Sequence, residues 1–203
     1  MPAKLGGKKG LSIIQYPHPT LRHVSKPLRR VDAELHSAVR EMFDLMYEAN
    51  GVGLAANQVD LPYRFFVMNL EADPKAADQE LVFLNPVLTG RKGTIEGEEG
   101  CLSLPGLYAQ VKRTERNVLN AFTLNGEEIT LDLDGMAARA VQHEIDHLDG
   151  VLFIDRLSLT GQLDTQDALS DMERQFLDRR ERGEIPSDDE IARRLEELER
   201  ERT

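Results

Sequence analysis

The stretch Gln142-His143-Glu144-Ile145-Asp146-His147-Leu148-Asp149-Gly150 constrains this chain most, because it contains the pentad H-E-x-x-H. An α-helix turns about 100° per residue, so His143 and His147, at i and i+4, fall on one face about one turn apart. Two imidazoles at that spacing can bind one divalent metal. Glu144, beside the first of them, can handle protons on a metal-bound water. The alternative for the pentad alone is a chance occurrence or a structural capping cluster that holds no metal. For a metal site, the rest of the chain must supply a third ligand, an oxyanion donor and a substrate groove.

The chain has a single cysteine, Cys101, so no intrachain disulfide can form. Two histidines and one cysteine around a metal leave a fourth position open, the arrangement of a catalytic site. The alternative for Cys101 is a buried, inert thiol.

The length of 203 residues, 40% of them hydrophobic, suffices for one core with appendages. A net charge of −11 argues against a broad nucleic-acid-binding surface, so DNA is not an expected partner. No apolar run approaches the ~20 residues that span a bilayer. The first ten residues are basic and Gly-rich but lack the apolar region of a signal peptide, so a cytoplasmic location and no membrane partner are expected.

Leu11 to Gln15 form a short apolar run that reads as an edge strand, broken by Pro17 and Pro19. Leu21, Val24 and Leu28 are expected to pack this arm onto the core. A helix is predicted over residues 33–50, with Asp32 as N-cap and Gly51 as the residue that ends it. Leu35, Val39, Met42, Phe43 and Met46 mark its core face. The segment Gly51-Val52-Gly53-Leu54-Ala55-Ala56-Asn57-Gln58 matches no phosphate loop and, taken alone, reads as a helix-terminating turn. Strands are predicted over 64–70 and 81–88, with weaker alternation over 94–99, where Glu96, Glu98 and Glu99 read as solvated surface. Asn125-Gly126 between two β-rich runs, 118–124 and 127–133, signals a two-residue hairpin. Asp134 then reads as the N-cap of the metal-site helix. The fold class is therefore α+β, with mainly antiparallel sheets around a central metal-binding helix and an early amphipathic helix.

Beyond residue 159 the composition shifts, which divides the chain into residues 1–159 and a charged helical C-terminal extension, 160–203. Residues 164–182 form one predicted helix, with Leu169, Met172 and Phe176 on one side. Ser187 and Glu190 match a capping box for a second, whose Ile191, Leu195 and Leu198 make a narrow apolar seam. Glu190 with Arg194, and Glu196 with Arg200, are at i,i+4 spacing for ion pairs. The seam can dock on the core or pair with a second copy, leaving monomer and homodimer both open.

Three segments together resemble the peptide deformylases. Residues 51–58 match G-x-G-L-A-A-x-Q, Glu99-Gly100-Cys101-Leu102-Ser103 matches E-G-C-L-S, and Gln142 to His147 match Q-H-E-x-D-H, in the family's order. The resemblance runs over about residues 10–158, with Tyr16-Pro17-His18-Pro19 resembling the family's opening arm. It implies removal of the formyl group from the N-formylmethionine of nascent polypeptides, with release of formate. It implies Cys101, His143 and His147 as metal ligands and Glu144 as the proton carrier. The Gln58 side-chain amide and the Leu102 backbone N–H would stabilise the oxyanion. Val52, Gly53, Gly100, Leu102, Ala140 and His143 would line the substrate groove. Ferrous iron is the implied cofactor, with zinc, nickel or cobalt able to substitute, and any contact with the ribosome would be transient. The mixed-charge tail departs from the basic C-terminal helix through which some members approach the ribosome. A metal-dependent peptidase and a non-catalytic nascent-chain-binding module are the rival readings. The first would normally take its third ligand from a downstream Glu or His, and no histidine follows His147.

Overall fold

Asp32 begins the first helix as expected: its Oδ1 accepts the Leu35 N–H at 3.0 Å, opening α1 (Ala33–Glu48). The protein is described here from a computed structural model covering residues 10–203, so most of the basic N-terminal stretch lies outside the described residues. Helix α1 ends in a Schellman arrangement in which Asn50, at φ 55°, takes the left-handed position instead of Gly51. The Asn50 N–H donates to the Tyr47 carbonyl at 3.0 Å and the Gly51 N–H to the Met46 carbonyl at 2.8 Å. The glycine segment that follows is not only a turn, because it continues into strand β1 (Gly53–Ala55).

Strands β2 (Phe65–Met68), β3 (Leu81–Lys92), β4 (Ile95–Cys101), β5 (Leu104–Arg113), β6 (Arg116–Phe122) and β7 (Glu128–Asp134) complete two antiparallel sheets. One runs β1-β2-β3-β6-β7 and the other pairs β4 with β5. Helix α2 (Gly135–Leu148) follows β7, and α3 (Leu159–Glu181) and α4 (Asp188–Arg202) close the chain. The α+β class and the mainly antiparallel sheets are as the sequence predicts.

β2 shows how the layers are held. All four of its residues are buried, with alternate side chains serving opposite faces. Phe65 and Val67 pack with Leu35, Val39, Met42 and Met46 of α1. Phe66 and Met68 pack with Val141, Ile145 and Leu148 of α2. Each such side chain contributes about 1.5–3 kcal/mol, so this sheet between two helices fixes where α2 lies.

Several expectations change. Leu11 to Gln15 form no strand; they are an extended arm whose Ile14 N–H donates to the Gln58 carbonyl and Tyr16 N–H to the Ser103 carbonyl, both at 2.9 Å. Leu21 and Leu28 are buried, but Val24 is 60% exposed. Asn85, at φ 51°, and Pro86 sit inside β3 at a register shift, which lets a proline occupy a strand that continues to Lys92. The β6–β7 loop has three residues, Leu124 to Gly126, because Thr123 pairs with Glu127 and Gly126 takes φ 81°. Strand β5 has no counterpart among the predicted elements.

The tail docks on its own core. Ile191 and Leu195 join Phe176 and Ile185, while Leu198 packs against the α1 side of the sheet. The Ser187–Glu190 capping box forms. The expected Glu190–Arg194 and Glu196–Arg200 ion pairs do not. Arg194 turns inward to Asp60, and Arg200 donates to the Glu196 carbonyl. Arg202, with its side chain 1% exposed, bonds Asp32 and Glu34 at the start of α1.

Candidate active site

Helix α2 spends its Val141, Ile145 and Leu148 on the sheet, which leaves His143 and His147 on another face. Their rings are 4.9 Å apart between centroids, as i,i+4 spacing requires. Cys101 comes from the end of β4, where the β4–β5 register shifts between Gly100 and Cys101. Its Sγ lies 3.2 Å from His147 Nε2. One donor atom from each of Cys101, His143 and His147 lies within 4.8 Å of the others. No other such cluster occurs among the described residues.

The surroundings treat the two imidazoles oppositely. Burial opposes a charge on His143, but hydrogen bonds to Cys101 and Glu99 lift its pKa to about 10. Burial holds His147 well below the ordinary histidine value, reinforced by the charges of His143 and Arg113. It therefore stays neutral, the form that binds metal. Glu144 is buried, its Oε2 has no hydrogen-bond partner, and burial pushes its pKa up to about 7. One soft sulfur, two imidazoles and an unpartnered buried carboxylate fit a divalent metal with an adjacent proton carrier.

Residues 11–162 match the family model described as polypeptide deformylase. The chain belongs to the polypeptide deformylase family. It is 49% identical to a peptide deformylase of Rhodopirellula baltica over 189 residues, covering 93% of this chain and 94% of that one. A peptide deformylase of Neisseria gonorrhoeae is 47% identical over 148 residues, 73% of this chain and 87% of its own. Among solved structures, a plant peptide deformylase superposes with a TM-score of 0.81 at 35% identity, covering 89% of this chain and 97% of that one.

In this member of the deformylase family a cavity of about 720 Å³ opens over the Cys101, His143 and His147 donors. All six residues predicted for the substrate groove, Val52, Gly53, Gly100, Leu102, Ala140 and His143, line it, as do Gln58, Cys101 and Glu144. His147 is buried behind them. Gln58 is held at both ends of its amide. Its Oε1 accepts the Ala55 N–H at 2.8 Å, and its Nε2 donates to Ser103 Oγ at 3.2 Å and Cys101 Sγ at 3.5 Å. Two glycines permit the close approach. A Cβ on Gly53 would lie 2.9 Å from Glu144 Cδ, and one on Gly100 would lie 2.5 Å from the Tyr108 ring.

The structure also corrects one residue and adds others. Glu99 is not solvated surface, as expected from its acidic neighbours; it is buried, and only Glu96 and Glu98 face outward. Its Oε2 lies 3.1 Å from His143 Nδ1, its carboxylate accepts two bonds from Arg113 at 2.8 Å, and Arg139 donates to it at 2.6 Å. Burial would raise the Glu99 pKa, but Arg113 and His143 hold it far below the usual carboxylate range. Arg113 also bonds Asp146, which Arg156 clasps from the other side. Gln142 pins α2 through the Thr114 backbone, accepting its N–H at 2.9 Å and donating to its carbonyl at 2.8 Å. Asn57 donates to the His147 carbonyl. Thus the polar residues flanking the three candidate ligands orient the helix and the rings. Strand alternation was the available signal for Glu99, since residues 97, 99 and 101 share one face of β4.

Proposed function

We propose that this chain removes the formyl group from the N-formylmethionine of nascent polypeptides, releasing formate and a free amine. The observation that carries the reading is the convergence of Cys101, His143 and His147 within 4.8 Å beside the buried, unpartnered Glu144 carboxylate.

Cys101 Sγ and the two imidazoles would hold a divalent ion, which would supply Lewis acidity and lower the pKa of water toward neutrality. Glu144 takes a proton as water attacks the formyl carbon and gives it to the departing nitrogen as the C–N bond breaks. Burial pushes the Glu144 pKa up from the ordinary carboxylate value, toward the range in which one group can both accept and return a proton. The Gln58 Nε2–H and the Leu102 N–H donate to the formyl oxygen as negative charge builds on it. Such fixed donors are each worth about 3–4 kcal/mol in the transition state. β1 is the outer strand of its sheet, so the Val52-Gly53 edge is available to pair with an extended peptide. The methionine side chain lies in the cavity against Val52, Leu102 and Ala140.

Ferrous iron is the ion we assign, with zinc, nickel or cobalt able to occupy the same donors. The reaction is assigned to the cytoplasm, during a transient encounter with the ribosome. In support, no described helix is long and apolar enough to cross a membrane. Burial of the α4 seam against its own chain supports a monomer. Residues 1–159 are assigned the chemistry and 160–203 an accessory role.

The test is formate release from an N-formylmethionyl peptide by protein prepared anaerobically with ferrous iron. Release that falls about 10²–10⁴-fold in Glu144→Ala is expected. Absence of release from metal-loaded protein, or full activity in the variant, would overturn the reading.

A further inference from the structure

A second hollow of about 260 Å³ adjoins the active-site cavity, and Gln15 and Pro105 line both. Its far wall comes from α3. Ala168, Asp171, Met172, Gln175, Phe176 and Arg179 recur at i, i+3, i+4, i+7, i+8 and i+11, which is one continuous face of that helix. Most of α3 lies beyond the residues matched by the family model, so this wall is a feature of the extension.

The wall is fixed in place. The Tyr16 hydroxyl donates to Glu173 Oε1 at 2.7 Å, tying the arm to α3, while the Tyr16 N–H bonds Ser103 beside the metal cluster. The charged groups at the rim are already occupied: Asp171 with Arg174, and Arg179 with Glu184 at 3.3 Å. What remains for a ligand is the apolar surface of Met172, Phe176, Tyr16 and Pro105, with the uncharged amides of Gln15 and Gln175 at its edges. That surface suits an uncharged, apolar side chain and offers a free anion or cation no unpaired partner.

We infer that α3 extends the substrate groove. Residues of the formylated polypeptide downstream of those held at the metal cluster cross Gln15 and Pro105 and set an apolar side chain into this hollow. The inference rests on the deformylase reading above, because the shared lining makes the hollow the next stop for a chain leaving the cavity.

The experiment compares kcat/KM for a short N-formylmethionyl tripeptide with that for two longer peptides, one carrying downstream leucines and one downstream glutamates. The leucine peptide is expected to exceed the tripeptide by about tenfold, equivalent to ~1.4 kcal/mol, and the glutamate peptide to show little gain. Gln175→Trp, at an exposed position on the wall, fills the hollow and should bring the leucine-to-tripeptide ratio close to one. Reading the ratio within each protein separates loss of the hollow from general loss of activity. If the variant fails to fold, the leucine-against-glutamate comparison in the wild type still decides. Turnover of the tripeptide with no gain for leucine, or a gain that persists in Gln175→Trp, would overturn the extended groove and leave the deformylase reading standing. No turnover of any peptide would overturn both.

Discussion

Glu99 Oε2 lies 3.1 Å from His143 Nδ1, so one carboxylate on β4 sets the ring of a ligand candidate on α2. The bond occupies Nδ1 and leaves Nε2 to face the cluster. Glu99→Gln keeps the shape but loses the charge, and metal affinity should fall about 10–100-fold, measured by competition with a chelator. Glu99→Ala should do more, because it strands Arg113, whose side chain is 2% exposed. A loss of about 3–5 kcal/mol in urea unfolding is expected, and a loss under about 1 kcal/mol would show that Asp146 suffices for Arg113.

Gly53 and Glu144 make a second pair in which a missing atom matters. A methyl group at Gly53 would press on the Glu144 carboxylate, whose Cδ would lie 2.9 Å from the added carbon. Gly53→Ala should therefore displace the proton carrier while leaving the metal ligands intact. A fall of about 100-fold in kcat/KM with unchanged metal content is the expected result. Loss of metal along with activity would mean that the strand, not the carboxylate, had moved.

Much of this site was legible because its parts are local or unique. His143, Glu144 and His147 sit at helical spacing within five residues, and Cys101 is the only thiol. Glu99 was misread because three acidic residues in four positions suggest a solvated run. Strand alternation buries the last of them, and its partner Arg113 comes from β5, whose Pro105 and Gly106 obscure any strand pattern. The seam Ile191, Leu195 and Leu198 was equally legible as a stripe. What the helix meets was less so: Ile191 and Leu195 join the nearby Phe176 and Ile185, but Arg202, Arg194 and the Leu198 carbonyl reach partners more than a hundred residues earlier, at Asp32, Glu34, Asp60 and Tyr63.

Those distant contacts make the docking of α4 acid-sensitive. Burial would raise the Glu199 pKa, but bonds from Lys26 and His23 hold it below the ordinary 4.5. Burial likewise opposes ionisation of Asp32, and Arg202 overcomes it. Groups with depressed folded pKa stabilise fully above their unfolded values and lose that contribution as pH falls through the folded ones. Protection of α4 amides from hydrogen exchange should therefore be constant near neutrality and fall below about pH 4. Arg202→Ala should lower it by about 1.5–3 kcal/mol at neutral pH. Equal protection in the variant would show that the apolar seam alone holds the helix.

Metal removal tests the cluster without reference to turnover. An ion that binds only the folded chain stabilises it by about 2.7 kcal/mol at a hundredfold excess over Kd. The thermal midpoint should therefore rise when zinc is added to chelator-treated protein and rise again with each further increase in zinc. Cys101→Ser replaces a soft anionic sulfur with a neutral hydroxyl while keeping the side chain's size. The variant's metal-free midpoint should shift less than the zinc-dependent rise it loses, since Cys101 is only half-buried and serine keeps a polar atom facing His143 and His147. Its response to zinc should be much smaller. An undiminished rise in Cys101→Ser would remove the thiol from the ligand set and leave the two histidines to find their third donor elsewhere.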